Sequence, residues 1–363
     1  MDMHWTDFTR TGPGTLAGRY MRMFWHPVFR GRDLPSGRSV PIRLMSEDFT
    51  LYRGEGGAPH LVAFRCAHRG TQLSTGWVEG DDIRCFYHGW KYDGSGQCIE
   101  QPAEPEPYCQ RINIRSYPVA EYLGLIFVYL GEGEPPPVPR FPDFESSRDP
   151  RAQSPWPCNF FNRLENIHDD FRISPIRRGF ADMADPKSIE VEETASGILQ
   201  RARRPDGSVT VGYVHMPNIL QYSVSASDAD AANGAWSPVV WVVPIDDDHF
   251  RSFSISKTRS EDAAESERRR EARSVSNQTR IPAEEIGAAI LDGTLRLQDV
   301  TDRTMNLNQV LDYVAVVGQG RVADHANEHA GQEDAAVLLL WHVWTRELRA
   351  LAEGQPLKEW RRS

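Results

Sequence analysis

Four residues within one short stretch have the types and spacing for metal chemistry. From Arg65 to Trp90 the chain reads RCAHRGTQLSTGWVEGDDIRCFYHGW, with Cys66 and His68 as a C-x-H pair and, after sixteen intervening residues, Cys85 and His88 as a C-x-x-H pair. Two thiolates and two imidazoles carried on two loops suit either a tetrahedral zinc ion or a [2Fe-2S] cluster with cysteines on one iron and histidines on the other. Gly70, Gly76, Gly80 and Gly89 fall where loops must fold tightly around a bulky inorganic core, and glycine adopts positive φ at little cost. Zinc fingers more usually place C-x-x-C and H-x-x-x-H pairs in one hairpin and helix, so this stretch favours the cluster. Arg65, Arg69, Arg84 and Lys91 surround the four residues. They would form a basic patch able to steer an acidic electron donor, unless Glu79, Asp81 and Asp82 neutralise it.

The elements that must position these loops follow from pattern. At 363 residues, with 40% hydrophobic and 25% charged residues, the chain has ordinary globular composition and room for two domains. A net charge of −10 disfavours nucleic acid as a partner. No basic leader with an apolar core opens the chain, and no apolar run of about eighteen residues occurs, so no membrane association and a soluble, cytoplasmic protein are expected. Of five cysteines, Cys98, Cys109 and Cys158 are left over. Their odd number and lack of framework spacing predict small half-buried hydrophobes in a reducing compartment.

Leu16, Tyr20, Met23 and Phe24 predict an opening helix ended by Pro27. Short strand-like runs then continue from about Val40 to Tyr129 and imply a small all-β domain holding the loops. Gly131 to Pro157 carries eight prolines and reads as a connector. The division is therefore 1–135, a linker at 136–157, and a second domain at 158–363. That domain opens with a helix over Phe160, Phe161, Leu164 and Phe171. It continues with strands in SIEVEET, SVTVGYVHM, LQYSVSA, WSPVVWVVPID and FRSFSISKT, which fit an antiparallel sheet. The segment DAAESERRREARSVSNQ reads as solvated, and EDAAVLLLWHVWTRELRALAEG as a strong C-terminal helix presenting Val337, Trp341, Trp344, Leu348 and Leu351. His325 and His329, in DHANEHAG, read as loop or surface residues.

The Arg65–Trp90 stretch resembles a Rieske iron–sulfur domain. RYMRMFWHPV near the start and the GQG and ELRALAEG segments near the end extend the resemblance, over nearly the whole chain, to the oxygenase (α) subunit of Rieske non-heme iron ring-hydroxylating oxygenases. The resemblance implies an α+β protein: a small all-β Rieske [2Fe-2S] domain, with Cys66, His68, Cys85 and His88 as cluster ligands, and a helix-grip catalytic domain whose antiparallel sheet grips a long helix.

In that family a ferrous ion sits on two histidines and a carboxylate, the histidines within N-x-x-D-x-x-H-x-x-x-x-H. Asn166 and Asp169 match the first two positions here, Arg172 and Arg177 stand where the histidines belong, and Asp312 corresponds to the carboxylate. Guanidinium has no lone pair to give a metal and stays protonated, so neither arginine can bind iron. Two arginines with one aspartate carry the same net charge as ferrous iron with two neutral histidines and one aspartate. Pairing of Arg172 or Arg177 with Asp312 is therefore expected, and mononuclear Fe(II) is expected to be absent from this chain. A relocated iron site would have to use His168, Asp169 or Asp170, and Asp312. The resemblance also gives Asp169 the role of bridging one subunit's cluster histidine to an iron ligand of its neighbour.

The expected function is an α-like subunit of a mixed oligomer, trimer or hexamer, taking electrons from a reductase or ferredoxin. It would relay them to the iron of a catalytic partner that hydroxylates or demethylates a small apolar or aromatic substrate. Histidine ligation raises such a cluster to roughly −150 to +300 mV. The alternatives are a self-sufficient oxygenase with relocated iron, and a structural or regulatory subunit without electron transfer.

Overall fold

The computed structural model describes residues 4–145, 150–166, 188–225, 238–257, 281–300, 307–332 and 334–361. Two helices open the chain, α1 (Trp5–Thr9) and α2 (Leu16–Arg22). Thr15 caps α2 by accepting the Gly18 N–H at 3.1 Å, and Tyr20 and Met21 are buried. The helix stops before Met23, short of its expected end at Pro27, because Trp25–Arg30 forms a strand, β1. That strand pairs with an apolar run, Leu125–Tyr129, buried at every position, and the register slips between Pro27 and Phe29. Proline has no N–H for the ladder, so the irregularity falls there.

Eleven strands precede the proline-rich segment. After β1 come β2 (Ser39–Leu44), β3 (Glu47–Arg53), β4 (Pro59–Ala63), β5 (Trp77–Glu79), β6 (Asp82–Arg84), β7 (Lys91–Tyr92), β8 (Cys98–Glu100), β9 (Ser116–Tyr117), β10 (Val119–Tyr122) and β11 (Leu125–Tyr129). They form three small antiparallel sheets, ordered β1-β11-β10, β2-β3-β4-β9 and β5-β6-β7-β8. Gly80 takes a φ of 64° in the two-residue turn joining β5 to β6, a hairpin turn that a side chain would strain.

The second half is built on one seven-stranded antiparallel sheet ordered β12-β18-β17-β16-β15-β14-β13. Its strands are β12 (Arg151–Ala152), β13 (Ser188–Glu193), β14 (Gly197–Arg203), β15 (Val209–His215), β16 (Ile219–Ser225), β17 (Val239–Pro244) and β18 (Phe250–Ile255). The five expected strands are all present. β14, GILQRAR, escapes pattern reading because Gln200, fully buried, interrupts an otherwise apolar face. α3 (Phe160–Glu165), α4 (Ala283–Leu291), α5 (Leu307–Gly318) and α6 (Ala335–Ala352) complete the described strands and α-helices. The result is the α+β architecture expected: small β-sheets beside a large antiparallel sheet that packs on the C-terminal helix.

α6 buries Ala336, Leu340, Val343, Trp344, Glu347 and Leu348. This stripe shares Trp344 and Leu348 with the expected face and leaves Val337, Trp341 and Leu351 at its margins. Gly354, at φ 66°, ends the helix while Gln355 N–H reaches back to the Ala350 carbonyl at 2.8 Å. Beyond it the chain turns back on itself. Trp360 donates its indole N–H to the Tyr20 hydroxyl at 2.9 Å, and the Tyr20 ring meets Trp344 edge-on at 5.4 Å. One apolar core joins α2, β1, β11, α3, the large sheet and α6, whereas the Arg65–Trp90 stretch has a smaller core of its own around Tyr52, Leu73, Ile83, Trp90 and Tyr92. No disulfide joins any of the five cysteines.

Candidate metal centre

Each of the two loops leaves the end of a strand and is closed by the same pair of backbone hydrogen bonds. Cys66 follows β4; its N–H donates to the Thr71 carbonyl at 2.8 Å, and its own carbonyl accepts the Gly70 N–H at 2.9 Å. Cys85 follows β6; its N–H donates to Trp90 O at 2.9 Å, and its carbonyl accepts the Gly89 N–H at 3.0 Å. Gly70 at φ 73° and Gly89 at φ 74° adopt the left-handed conformation that this closure needs. The loops are thus matched turns, each presenting a cysteine at its base and a histidine near its tip.

The side chains assemble in pairs. Cys66 and Cys85 are buried and lie beside each other, and burial, reinforced by the neighbouring Cys66, pushes the Cys85 thiol up. The backbone N–H groups of Tyr87 and His88 point at the Cys85 sulfur and favour its thiolate. Tyr92 on β7 stands at the other sulfur, its hydroxyl lying 3.2 Å from Cys66 Sγ. The imidazoles of His68 and His88 stand with centroids 4.6 Å apart, and His68 stacks on Trp90 at 4.7 Å with a 7° tilt. Partial desolvation, then His68 and Arg69, hold His88 below its ordinary value, in the neutral form that can ligate a metal.

Two sulfurs on one side and two imidazoles on the other are the donors a Rieske [2Fe-2S] cluster requires. His68 Nδ1 is buried and without a hydrogen-bond partner. Such an orphan costs about 1–3 kcal/mol, which a bond to iron would remove. The residues therefore fit the group.

The surrounding charge differs from the expected basic patch. Arg84 forks onto Glu79 at 2.7 and 2.8 Å and reaches Glu100 at 2.7 Å, while Lys91 lies 3.0 Å from Asp82. The Arg84 hydrogen bonds hold the Glu79 carboxyl down at about 2. Both cations are thereby neutralised. Arg65 and Arg69 remain exposed, Arg69 over the ring of Tyr87, and together with half-exposed Phe86 and Tyr87 they form the outer surface of the loops.

The second expected site is described in part. His168, Asp169, Asp170, Arg172 and Arg177 lie outside the described residues. Asn166 and Asp312 lie within them, and Arg163, which pattern reading missed, connects the two. Its Nη1 donates to Asn166 Oδ1 at 2.6 Å and its Nη2 lies 3.8 Å from Asp312 Oδ2. The available signal was its position three residues before Asn166, on the same face of α3. Next to it, Glu165 is buried and accepts hydrogen bonds from His325 Nε2 at 2.8 Å and Trp341 Nε1 at 2.5 Å. His325 does sit in a loop, but the surface expectation fails for it: its side chain is wholly buried, because Glu165 supplies the charge partner that burial demands. His329 is exposed. Burial opposes an imidazolium at His325, yet Glu165, with Glu328 beyond, outweighs that and holds the group above its ordinary value.

Comparison with known proteins agrees with this geometry. Residues 24–120 match the Rieske [2Fe-2S] domain family. The chain is 29% identical to phenoxybenzoate dioxygenase subunit alpha of Ectopseudomonas oleovorans, over 94% of this chain and 84% of that one. It is 36% identical to 4beta-methylsterol monooxygenase of Methylococcus capsulatus, over 66% of this chain and 68% of the relative. Its fold matches the oxygenase in the reduced complex between oxygenase and ferredoxin of carbazole 1,9a-dioxygenase, with a TM-score of 0.57 at 18% identity, covering 92% of this chain and 90% of that one. Fold and domain define an iron–sulfur oxidoreductase. The chain belongs to the Rieske oxygenase family. Among the described residues, no helix is long and apolar enough to cross a membrane.

Proposed function

We propose that this chain is an oxygenase α-like subunit that relays electrons to a catalytic partner and does not itself activate oxygen. Cys66, His68, Cys85 and His88 would hold the [2Fe-2S] cluster, which when bound supplies one-electron transfer. Tyr92 and the Tyr87 and His88 amides stabilise the charge on the two sulfurs, and Trp90 fixes the plane of His68. The division into a cluster domain at 1–135, a connector at 136–157 and a catalytic-type domain at 158–363 belongs to the same reading.

The observation that carries the proposal is the contrast between the two sites. At the first, a cysteine pair and a histidine pair stand on matched loops, which supports their reading as cluster ligands. In the second, arginines occupy positions 172 and 177, and a further arginine, Arg163, lies against the retained Asp312. A guanidinium beside that carboxylate supplies the positive charge that iron would otherwise bring. Asp169 would bridge the cluster of one subunit to the iron ligands of the next, in a trimer or hexamer mixed with a catalytic α subunit. The ferredoxin in the carbazole dioxygenase complex supports a ferredoxin or reductase as donor, and the named relatives support a small aromatic or apolar substrate at the partner's iron.

The test is the iron and acid-labile sulfide content of the purified chain. Two irons and two sulfides per chain are expected; a third iron, with turnover by the isolated chain, would overturn the proposal in favour of a relocated site. In the assembled complex His68→Ala should abolish turnover. Unchanged turnover would leave only a structural role.

A further inference from the structure

Cys98 and Cys109, eleven positions apart in sequence, are brought together behind the cluster loops. Cys98 opens β8, and its N–H donates to the Ile112 carbonyl at 3.0 Å. Cys109 begins a short 3-10 turn, Cys109–Arg111, whose Ile112 N–H returns to the Cys109 carbonyl at 2.9 Å. One side chain binds both backbones: Gln97 Nε2 donates to Cys109 O at 2.7 Å, and to Cys98 O and Ile112 O at 3.0 Å each. Cys109 packs against the same small core that buries Cys98, whose thiol donates to the Glu100 carbonyl at 3.6 Å. Cys98 is 2% exposed, whereas Cys109 is half-buried and open on one side.

We propose that Cys98 and Cys109 are a peroxide-sensitive dithiol that closes to a disulfide in the folded protein. The oxidant is a hydroperoxide, in the simplest case hydrogen peroxide. The Cys109 sulfur attacks one peroxide oxygen, the O–O bond breaks, and Cys109 becomes a sulfenic acid as hydroxide leaves. The Cys98 sulfur then displaces the sulfenic oxygen, which departs as water with the Cys98 proton. In total two thiols lose two protons and two electrons, and one peroxide becomes two waters. The unequal exposure assigns the roles. Burial, and Cys109 beside it, push the Cys98 thiol up to about 12, so it remains protonated and shielded until its neighbour has reacted. Cys98 faces Tyr92 across the β7–β8 ladder, and Tyr92 touches Cys66, so the bond would form one strand away from a cluster ligand.

The experiment exposes the cluster-loaded protein to hydrogen peroxide, denatures it in an alkylating agent and digests it with trypsin. Lys91 and Arg111 bracket a single peptide, Tyr92–Arg111, that carries both cysteines and none of the four cluster residues, so the result is independent of the cluster assignment. The expected product lacks two hydrogens, resists alkylation and is restored by dithiothreitol. Cys98→Ser and Cys109→Ser each abolish it, while Cys158 stays alkylated. Closure should run roughly tenfold faster or more in the folded protein than in urea, since the fold holds the sulfurs together. Full alkylation of both cysteines after peroxide, equal rates in urea, or Cys109 advancing to the sulfinic acid with Cys98 still a thiol would each overturn the proposal.

Discussion

The Tyr92 hydroxyl stands 3.2 Å from the Cys66 sulfur while its oxygen accepts the Ala67 N–H at 3.1 Å. The Ala67 amide occupies the oxygen as an acceptor, which leaves the phenolic proton for the sulfur. Burial, and Cys66 beside it, raise the Tyr92 group, so it stays protonated and remains a donor. A donor to sulfur favours the reduced, more negative cluster. Tyr92→Phe should lower the midpoint potential by on the order of 40 mV, the one-electron equivalent of roughly 1 kcal/mol. Protein-film voltammetry measures this directly.

The loop glycines should respond unequally to alanine. A Cβ at Gly70 meets nothing within 4 Å, so only the φ of 73° is strained. Gly70→Ala should cost about 1–2 kcal/mol and keep the cluster. At Gly89 a Cβ would also press on Pro102 at 3.1 Å, behind the turn that presents His88. Gly89→Ala should therefore give the larger loss of stability and of the visible cluster absorbance, as followed by thermal unfolding and sulfide assay.

Asp312 in this chain is expected to have a different standing from a metal ligand. Its pairing with Arg163 spans 3.8 Å and is partly exposed, and such pairs contribute about 0–1 kcal/mol. Asp312→Asn should leave the iron count per chain unchanged and shift unfolding by no more than about 1 kcal/mol. Iron analysis beside denaturant titration checks both statements.

The buried His325–Glu165 pair introduces a pH dependence. His325 is held above its ordinary value of 6.5 in the folded chain. Its stabilisation is therefore fully present below pH 6.5 and is lost as pH rises through the raised folded value. Thermal unfolding should show stability falling across that window by on the order of 1 kcal/mol per unit shift. His325→Gln should flatten the dependence, at a cost of roughly 1–3 kcal/mol below the window.

Electron delivery offers a further check on the loop surface. Of the four cations around the loops, Arg84 and Lys91 are engaged by carboxylates, which leaves Arg65 and Arg69 to steer an acidic donor. Arg65→Glu with Arg69→Glu should slow reduction at low salt, with the difference shrinking as ionic strength rises. Stopped-flow reduction by a ferredoxin reads the rate.

The cluster loops were legible in the sequence because metal ligation constrains residue type and spacing together. Cys66, His68, Cys85 and His88 stand out against any background, and the glycines beside them announce tight turns. The large antiparallel sheet was legible in most strands, since period-two alternation survives in Ser188–Glu193 and runs of β-branched and aromatic residues mark Val209–His215 and Val239–Pro244. It failed at Gly197–Arg203, where a buried glutamine imitates a solvent position. Charge was read less well. Neutralisation of Arg84 and Lys91 by Glu79 and Asp82 stood open beside a basic patch, and Glu100 went unnamed because it reaches them only across the β5–β8 meander. His325 looked exposed because Glu165 is 160 residues away in the chain. The contact of Cys98 with Cys109 depends on a non-helical, non-strand turn held by Gln97, for which sequence has no periodic signal.

The return of the chain onto its own beginning bears on the order of events during synthesis. Tyr20 is buried against Trp344 and hydrogen-bonded by Trp360, residues translated more than three hundred positions later. A helix near the start of the chain is thus among the last elements able to bury its apolar face. Until the C-terminal helix leaves the ribosome, that face must be shielded by nascent-chain contacts or chaperones, and lesions near Trp360 should be felt first at the amino-terminal end.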